Sequence, residues 1–122
     1  MNELLSGRRV LVVEDEMMIL ITLEDMLADL GCTSVSSAAT VDQGLALMET
    51  QGFDAALLDV NLNGAKSYPI ADVLAARGVP FVFSTGCSDT GMVAGYRDRP
   101  VLRKPYHHQA LVETLKRLLP AA

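Results

Sequence analysis

Basic residues are scarce in this chain. It has 10 Lys and Arg against 15 Asp and Glu, a formal net charge of -5 at pH 7, and so lacks the clustered positive face that a phosphate-backbone binder needs. Direct nucleic-acid binding is therefore a poor reading. Cysteine is scarcer still. Cys32 and Cys87 are the two in the chain and do not form a CxxC pair, so neither fits a thiolate metal site; both read as small apolar residues of a reduced protein. Long apolar runs are missing as well. The longest, Met17 to Ile21, falls far short of the roughly 20 residues a spanning helix needs, and Met1 to Arg9 carries no apolar stretch of the secretion-signal kind. A cytoplasmic location without membrane insertion is the expectation. At 122 residues the chain has room for one domain of ordinary size, so residues 1–122 are expected to form a single unit with no output module.

Apolar residues are plentiful, at 50% of the chain against 20% charged, which is enough for a packed core. They fall into five short runs: Val10 to Val13, Thr33 to Ser36, Ala55 to Leu58, Phe81 to Phe83, and Val101 to Leu102. Runs of this length, rich in β-branched residues and without polar alternation, suit strands covered on both faces. Between them lie helical patterns over Glu16 to Leu30 with Gly31 as C-cap, over Val41 to Thr50 with Thr40 as N-cap, and from Ser67 to before Gly78. In the third, Pro69 is tolerated because it falls in the first turn. Asp89 to Tyr96 reads as a short helix weakened by Gly91 and Gly95, and His107 to Leu119 as a last helix with Leu111, Leu115 and Leu118 on one face. This (βα)5 order predicts a three-layer α/β fold of the flavodoxin-like kind. Its sheet is parallel, with strands ordered 2-1-3-4-5 and helices on both faces.

In such a sheet, ligands bind beyond the carboxyl ends of the strands, so the residues that close each strand carry the functional information. The first strand closes on Glu14-Asp15, the third on Asp59, the fourth on Ser84-Thr85-Gly86 and the fifth on Lys104-Pro105. Taken singly, each has a plain structural reading; Glu14 and Asp15, for example, could serve as caps for the positive end of the first helix. Together they place carboxylates in one crevice, where each like-charge pair at 4 Å repels by about 4 kcal/mol at an effective dielectric near 20. The crevice therefore needs positive charge. Hard oxygen donors with room for water suit Mg2+, and Lys104 adds a point charge.

At this point the sequence resembles the response-regulator receiver family, from Val10 through the last helix. The resemblance rests on Glu14-Asp15 in Val-Val-Glu-Asp-Glu, Asp59 at the end of Ala-Ala-Leu-Leu-Asp, Thr85-Gly86, and Lys104-Pro105. It implies a phosphoacceptor in two-component signalling. Asp59 is expected to take a phosphoryl group from a histidine kinase or phosphotransfer protein. Mg2+ is expected on Asp15, Asp59 and the Asn61 backbone carbonyl, with Glu14 assisting through a metal-bound water. Thr85 and Lys104 are expected to bind the phosphoryl oxygens. The output is expected through contact with a downstream protein. The acceptor is expected to phosphorylate itself and dephosphorylate slowly, rather than to turn over as an enzyme does.

Two departures bear on output. The loop Asp59-Val-Asn-Leu-Asn-Gly64 lacks the early proline common in receivers, and Val101 stands where many receivers carry Tyr or Phe three residues before the lysine. With Phe83-Ser84-Thr85-Gly86, these features resemble the receiver subgroup that carries Phe-Ala-Thr-Gly, some members of which are single-domain regulators. Rival readings are an aspartyl-phosphate hydrolase, which generally wants an acid where Asn61 stands, and a pseudo-receiver that keeps the fold without being phosphorylated. A flavin carrier fits less well, because the first strand-to-helix loop is acidic. His107 and His108, adjacent on a helix without Cys or Asp partners, read as exposed residues. The Met17, Met18, Ile19 cluster reads either as core or as a kinase-docking face.

Overall fold

A computed structural model gives the fold of residues 5–62, 65–85, 101–103 and 107–118. Along the chain run β1 (Arg9–Val13), α1 (Met17–Asp29), β2 (Ser34–Ala38), α2 (Val41–Thr50), β3 (Ala55–Asp59), β4 (Asn61–Leu62), β5 (Ala65–Lys66), α3 (Tyr68–Ala76), β6 (Phe81–Thr85), β7 (Val101–Arg103) and α4 (His108–Leu118). Five strands form one sheet in the order β2-β1-β3-β6-β7, every pairing parallel. This is the flavodoxin-like order expected from the sequence. The expected helix over Asp89 to Tyr96 lies outside the described residues.

Strand residues alternate between two cores, as a two-sided sheet requires. Val10, Val12, Ala55, Leu57 and Val82 pack with Leu20, Leu23 and Leu27 of α1 and with Leu111 and Leu115 of α4. Leu11, Val13, Ala56, Leu58, Phe81 and Phe83 face the other way, onto Met48 of α2 and Ile70, Ala71 and Leu74 of α3. Each of the Val, Leu, Ile, Phe and Met side chains among them contributes about 1.5–3 kcal/mol on burial. Phe81, Phe83 and Tyr68 add edge-to-face contacts, with ring centroids 5.5 and 5.9 Å apart. Gly44 lets α2 and α3 close up, because a Cβ at that position would sit 2.6 Å from Ile70 Cδ1.

The helix ends follow from local chemistry. Thr40 accepts from the Gln43 N–H at 3.1 Å, and the Gln43 side chain reaches back to accept from the Ala39 N–H at 2.8 Å. The exchange is close to a capping box. At the other end of α1, Gly31 takes φ 88°. The N–H groups of Gly31 and Cys32 then return to the carbonyls of Ala28 and Leu27 at 3.0 and 3.1 Å, which is a Schellman closure. Gly78 closes α3 in the same way, with its own N–H and that of Val79 bonded to Ala75 and Leu74.

Three details differ from the sequence reading. β2 spans Ser34–Ala38 instead of Thr33 to Ser36, because pairing with β1 carries it on to Ala38. A two-residue hairpin, β4 with β5, follows Asp59 and was not expected. Met17 and Met18 are 65% and 77% exposed, so neither joins the core, which takes Leu20, Leu23 and Leu27 from this helix.

Candidate metal centre

The register of the sheet builds the site. Val13 of β1 pairs with Leu58 of β3, so the next residues, Glu14 just past β1 and Asp59 at the end of β3, lie side by side. Asp59 in turn pairs with Ser84 of β6, and Thr85 pairs with Arg103 of β7. The backbone remains tied beyond the strand ends: Glu14 N–H donates to the Ala38 carbonyl at 2.9 Å, and Val60 N–H to the Ser84 carbonyl at 3.0 Å. The acidic side chains therefore project from a rigid edge at the point where the chain, having gone from β1 outward to β2, crosses to β3 on the other side. Open α/β sheets place their ligand crevice at such a point.

Glu14, Asp15 and Asp59 each offer a carboxylate oxygen, and these three oxygens lie within 4.8 Å of one another. Glu14 is 1% and Asp59 4% exposed, whereas Asp15 keeps contact with solvent. Two buried carboxylates beside a third are costly unless a cation joins them. The donor set is all oxygen, hard, and open on the Asp15 side, which fits a small divalent ion that retains water.

Each neighbour of the cluster has a local task. Glu14 Oε2 accepts from the Glu16 N–H at 3.1 Å, at the start of α1. Ser84 Oγ donates to the Leu58 carbonyl at 3.4 Å, one residue before Asp59. After Asp59 the chain makes the β4–β5 hairpin and returns, so that Ser67 N–H donates to the Val60 carbonyl at 3.0 Å and Ser67 starts α3. Among the expected site residues, Glu14, Asp15 and Asp59 converge. Asn61 opens β4, paired with Lys66, and Thr85 closes β6. Lys104 and Gly86 lie outside the described residues. Reading the sequence missed Ser67, whose hydroxyl is fully buried and has no hydrogen-bond partner among the described residues. Its one signal was its place just before Tyr68-Pro69, at a helix start.

Comparison with known proteins agrees with this geometry. The family model of the response regulator receiver domain matches residues 10–116, and the chain belongs to the response-regulator receiver family. It is thus a phosphoacceptor module of two-component signal transduction. The solution structure of SdrG from Sphingomonas melonis Fr1 is 47% identical. It covers 94% of this chain and 97% of its own, with a TM-score of 0.84. The BeF3-activated conformation of SdrG, from Pseudomonas melonis Fr1, matches at 47% identity over 94% and 98% of the two chains, with a TM-score of 0.80. The receiver domain of sensor histidine kinase PA1611 from Pseudomonas aeruginosa PAO1 has a magnesium ion coordinated in its active-site cleft. It is 27% identical over 93% of this chain and 98% of its own, with a TM-score of 0.75. No curated protein sequence matches the chain. Among the described residues, no helix is long and apolar enough to cross a membrane.

Proposed function

We propose that Asp59 is the phosphoacceptor. A carboxylate oxygen of Asp59 attacks the phosphorus of a phosphohistidine on a histidine kinase or phosphotransfer protein. The phosphorus–nitrogen bond breaks as the phosphorus–oxygen bond forms, and the donor imidazole leaves with the electron pair. The observation that carries this reading is the convergence of Glu14, Asp15 and Asp59 within 4.8 Å at the ends of two adjacent parallel strands. Phosphoryl transfer asks a protein for in-line positioning and charge neutralisation more than for covalent work, and this cluster is built for both.

Mg2+ is the cation that fits the donor set, held by Asp15, Asp59 and the Asn61 backbone carbonyl, with Glu14 acting through a water; its chemistry is to neutralise charge on the transferring oxygens. The magnesium in the PA1611 receiver supports this assignment. Thr85 and Lys104 bind the phosphoryl oxygens, and water later hydrolyses the acyl phosphate slowly. Exposed Met17, Met18 and Ile21 beside the carboxylates form the surface for the incoming donor domain. The protein works in the cytoplasm and passes its signal to another protein by contact. The Phe83-Ser84-Thr85-Gly86 motif supports the Phe-Ala-Thr-Gly subgroup.

The test is incubation of wild type and Asp59→Ala with a small phosphodonor and Mg2+, followed by intact-mass measurement. An acid-stable, base-labile phosphoryl adduct on wild type alone is expected. An adduct on both proteins removes Asp59 as acceptor. Continuous hydrolysis of phosphate esters points to a hydrolase, and absence of any adduct points to a pseudo-receiver.

A further inference from the structure

Glu14 belongs to two structures at once, the carboxylate cluster and the start of α1. One of its oxygens, Oε2, accepts from the Glu16 N–H at 3.1 Å. The other, Oε1, is sealed from solvent. Glu16 is the N-cap of α1, yet its own side chain makes no capping bond, and the first turn of α1 contains no acidic residue. The N–H groups of Met17, Met18 and Ile19 precede the first helical bond, which runs from Leu20 N–H to the Glu16 carbonyl at 3.0 Å. The positive end of this helix is therefore complemented from outside, by Glu14.

We infer that Glu14 is a positioning residue that couples cation binding at the carboxylate cluster to the first turn of α1. This rests on the reading of the cluster as a divalent-cation site. Without a cation, repulsion from Asp15 and Asp59 weakens the hold of the Glu14 carboxylate on the Glu16 N–H. With the charge neutralised, the carboxylate settles and its bond to the Glu16 N–H tightens, a charge-assisted bond of the stronger kind. The first turn of α1 is then fixed, and with it Met17, Met18 and Ile21, which are 65%, 77% and 46% exposed. The surface that meets the phosphodonor is thus set only when the acceptor site is loaded.

Hydrogen exchange of the Glu16 and Leu20 amides tests this. It is measured by NMR on the full chain with and without Mg2+, alongside the calorimetric heat of Mg2+ binding. In wild type, saturating Mg2+ should slow exchange by roughly fivefold, the factor carried by one hydrogen bond of ordinary net strength. Glu14→Ala should bind Mg2+ more weakly and, at a Mg2+ concentration that calorimetry shows to saturate it, should lose the slowing. Glu14→Asp should restore it, since an aspartate reaches the N–H two residues on. Glu14→Gln, of the same shape and so the safer variant for folding, should keep its metal-free protection but lose the gain. Wild type that takes up Mg2+ with unchanged exchange overturns the coupling and leaves the cation site standing, as does Glu14→Ala that slows like wild type. Wild type with no binding heat overturns the cation site itself and the coupling with it.

Discussion

Arg9 and Asp54 exchange two hydrogen bonds, both 2.7 Å: Arg9 N–H donates to Asp54 Oδ2, and Asp54 N–H donates to the Arg9 carbonyl. This pair locks the amino ends of β1 and β3. Glu14 and Asp59 lie five residues further along their respective strands, so the same lock that sets the register sets the two carboxylates side by side. Asp54→Ala removes the side-chain acceptor but leaves the backbone bond. Because the pair is exposed, the expected cost is about 0.5–1 kcal/mol in urea unfolding, with the midpoint lowered and the slope unchanged.

Removing charge from the cluster should act in opposite directions with and without metal. Asp15→Asn relieves repulsion on Glu14 and Asp59, so the metal-free protein should gain up to about 1 kcal/mol, a modest figure because Asp15 meets solvent. Mg2+ at about 100 times its dissociation constant should add about 2.7 kcal/mol to wild type and much less to the variant. Thermal melts in chelator and in Mg2+ compare the two directly. A variant destabilised in chelator contradicts the repulsion.

Ser67 carries a buried hydroxyl with no hydrogen-bond partner among the described residues, while its backbone N–H holds Val60. An unsatisfied buried hydroxyl costs about 1–3 kcal/mol. Ser67→Ala should therefore be neutral or more stable by about 1 kcal/mol, despite the position next to the site. Ser67→Pro should be clearly destabilising because it removes the N–H donor. Chemical denaturation of the two variants distinguishes them.

Burial pushes the Cys32 thiol up, against a smaller lowering by the hydrogen bond at the Ser34 backbone. The thiol stays protonated at neutral pH, so alkylation should be slow until the protein unfolds. Because the folded form holds its proton more tightly, Cys32 contributes stability in full below the unfolded thiol's range near 8.5, and that contribution declines as the pH rises through the higher folded value. Cys32→Ala should flatten this alkaline decline. Denaturant midpoints of both proteins from pH 7 to 10 check it.

How much of this was legible in the sequence depends on the signal each element leaves. β1, β3 and β6 were plain because both their faces are apolar, as Val10 to Val13 and Ala55 to Leu58 show. β2 was displaced because Ser34, Ser36 and Ser37 give an edge strand no apolar run, so pairing with β1 decides its limits. The β4–β5 hairpin, two residues a side, is too short for any periodicity. Gly31 and Thr40 gave away the helix ends because each has one local job. The carboxylates were legible at the strand ends, since topology alone brings them to one edge. The bond from Glu14 to the Glu16 N–H and the buried Ser67 hydroxyl were not, because both depend on side-chain placement that residue type does not specify.

When Asp59 takes the phosphoryl group, its side chain becomes an acyl phosphate. Borohydride reduction of the phosphorylated protein converts an acyl phosphate to an alcohol, and tandem mass spectrometry then locates it. Homoserine is expected in place of Asp59, formed only when phosphodonor and Mg2+ are both supplied. Reduction at Glu14 or Asp15 instead, or an unreduced Asp59 in a protein that carries the phosphoryl adduct, would contradict this assignment.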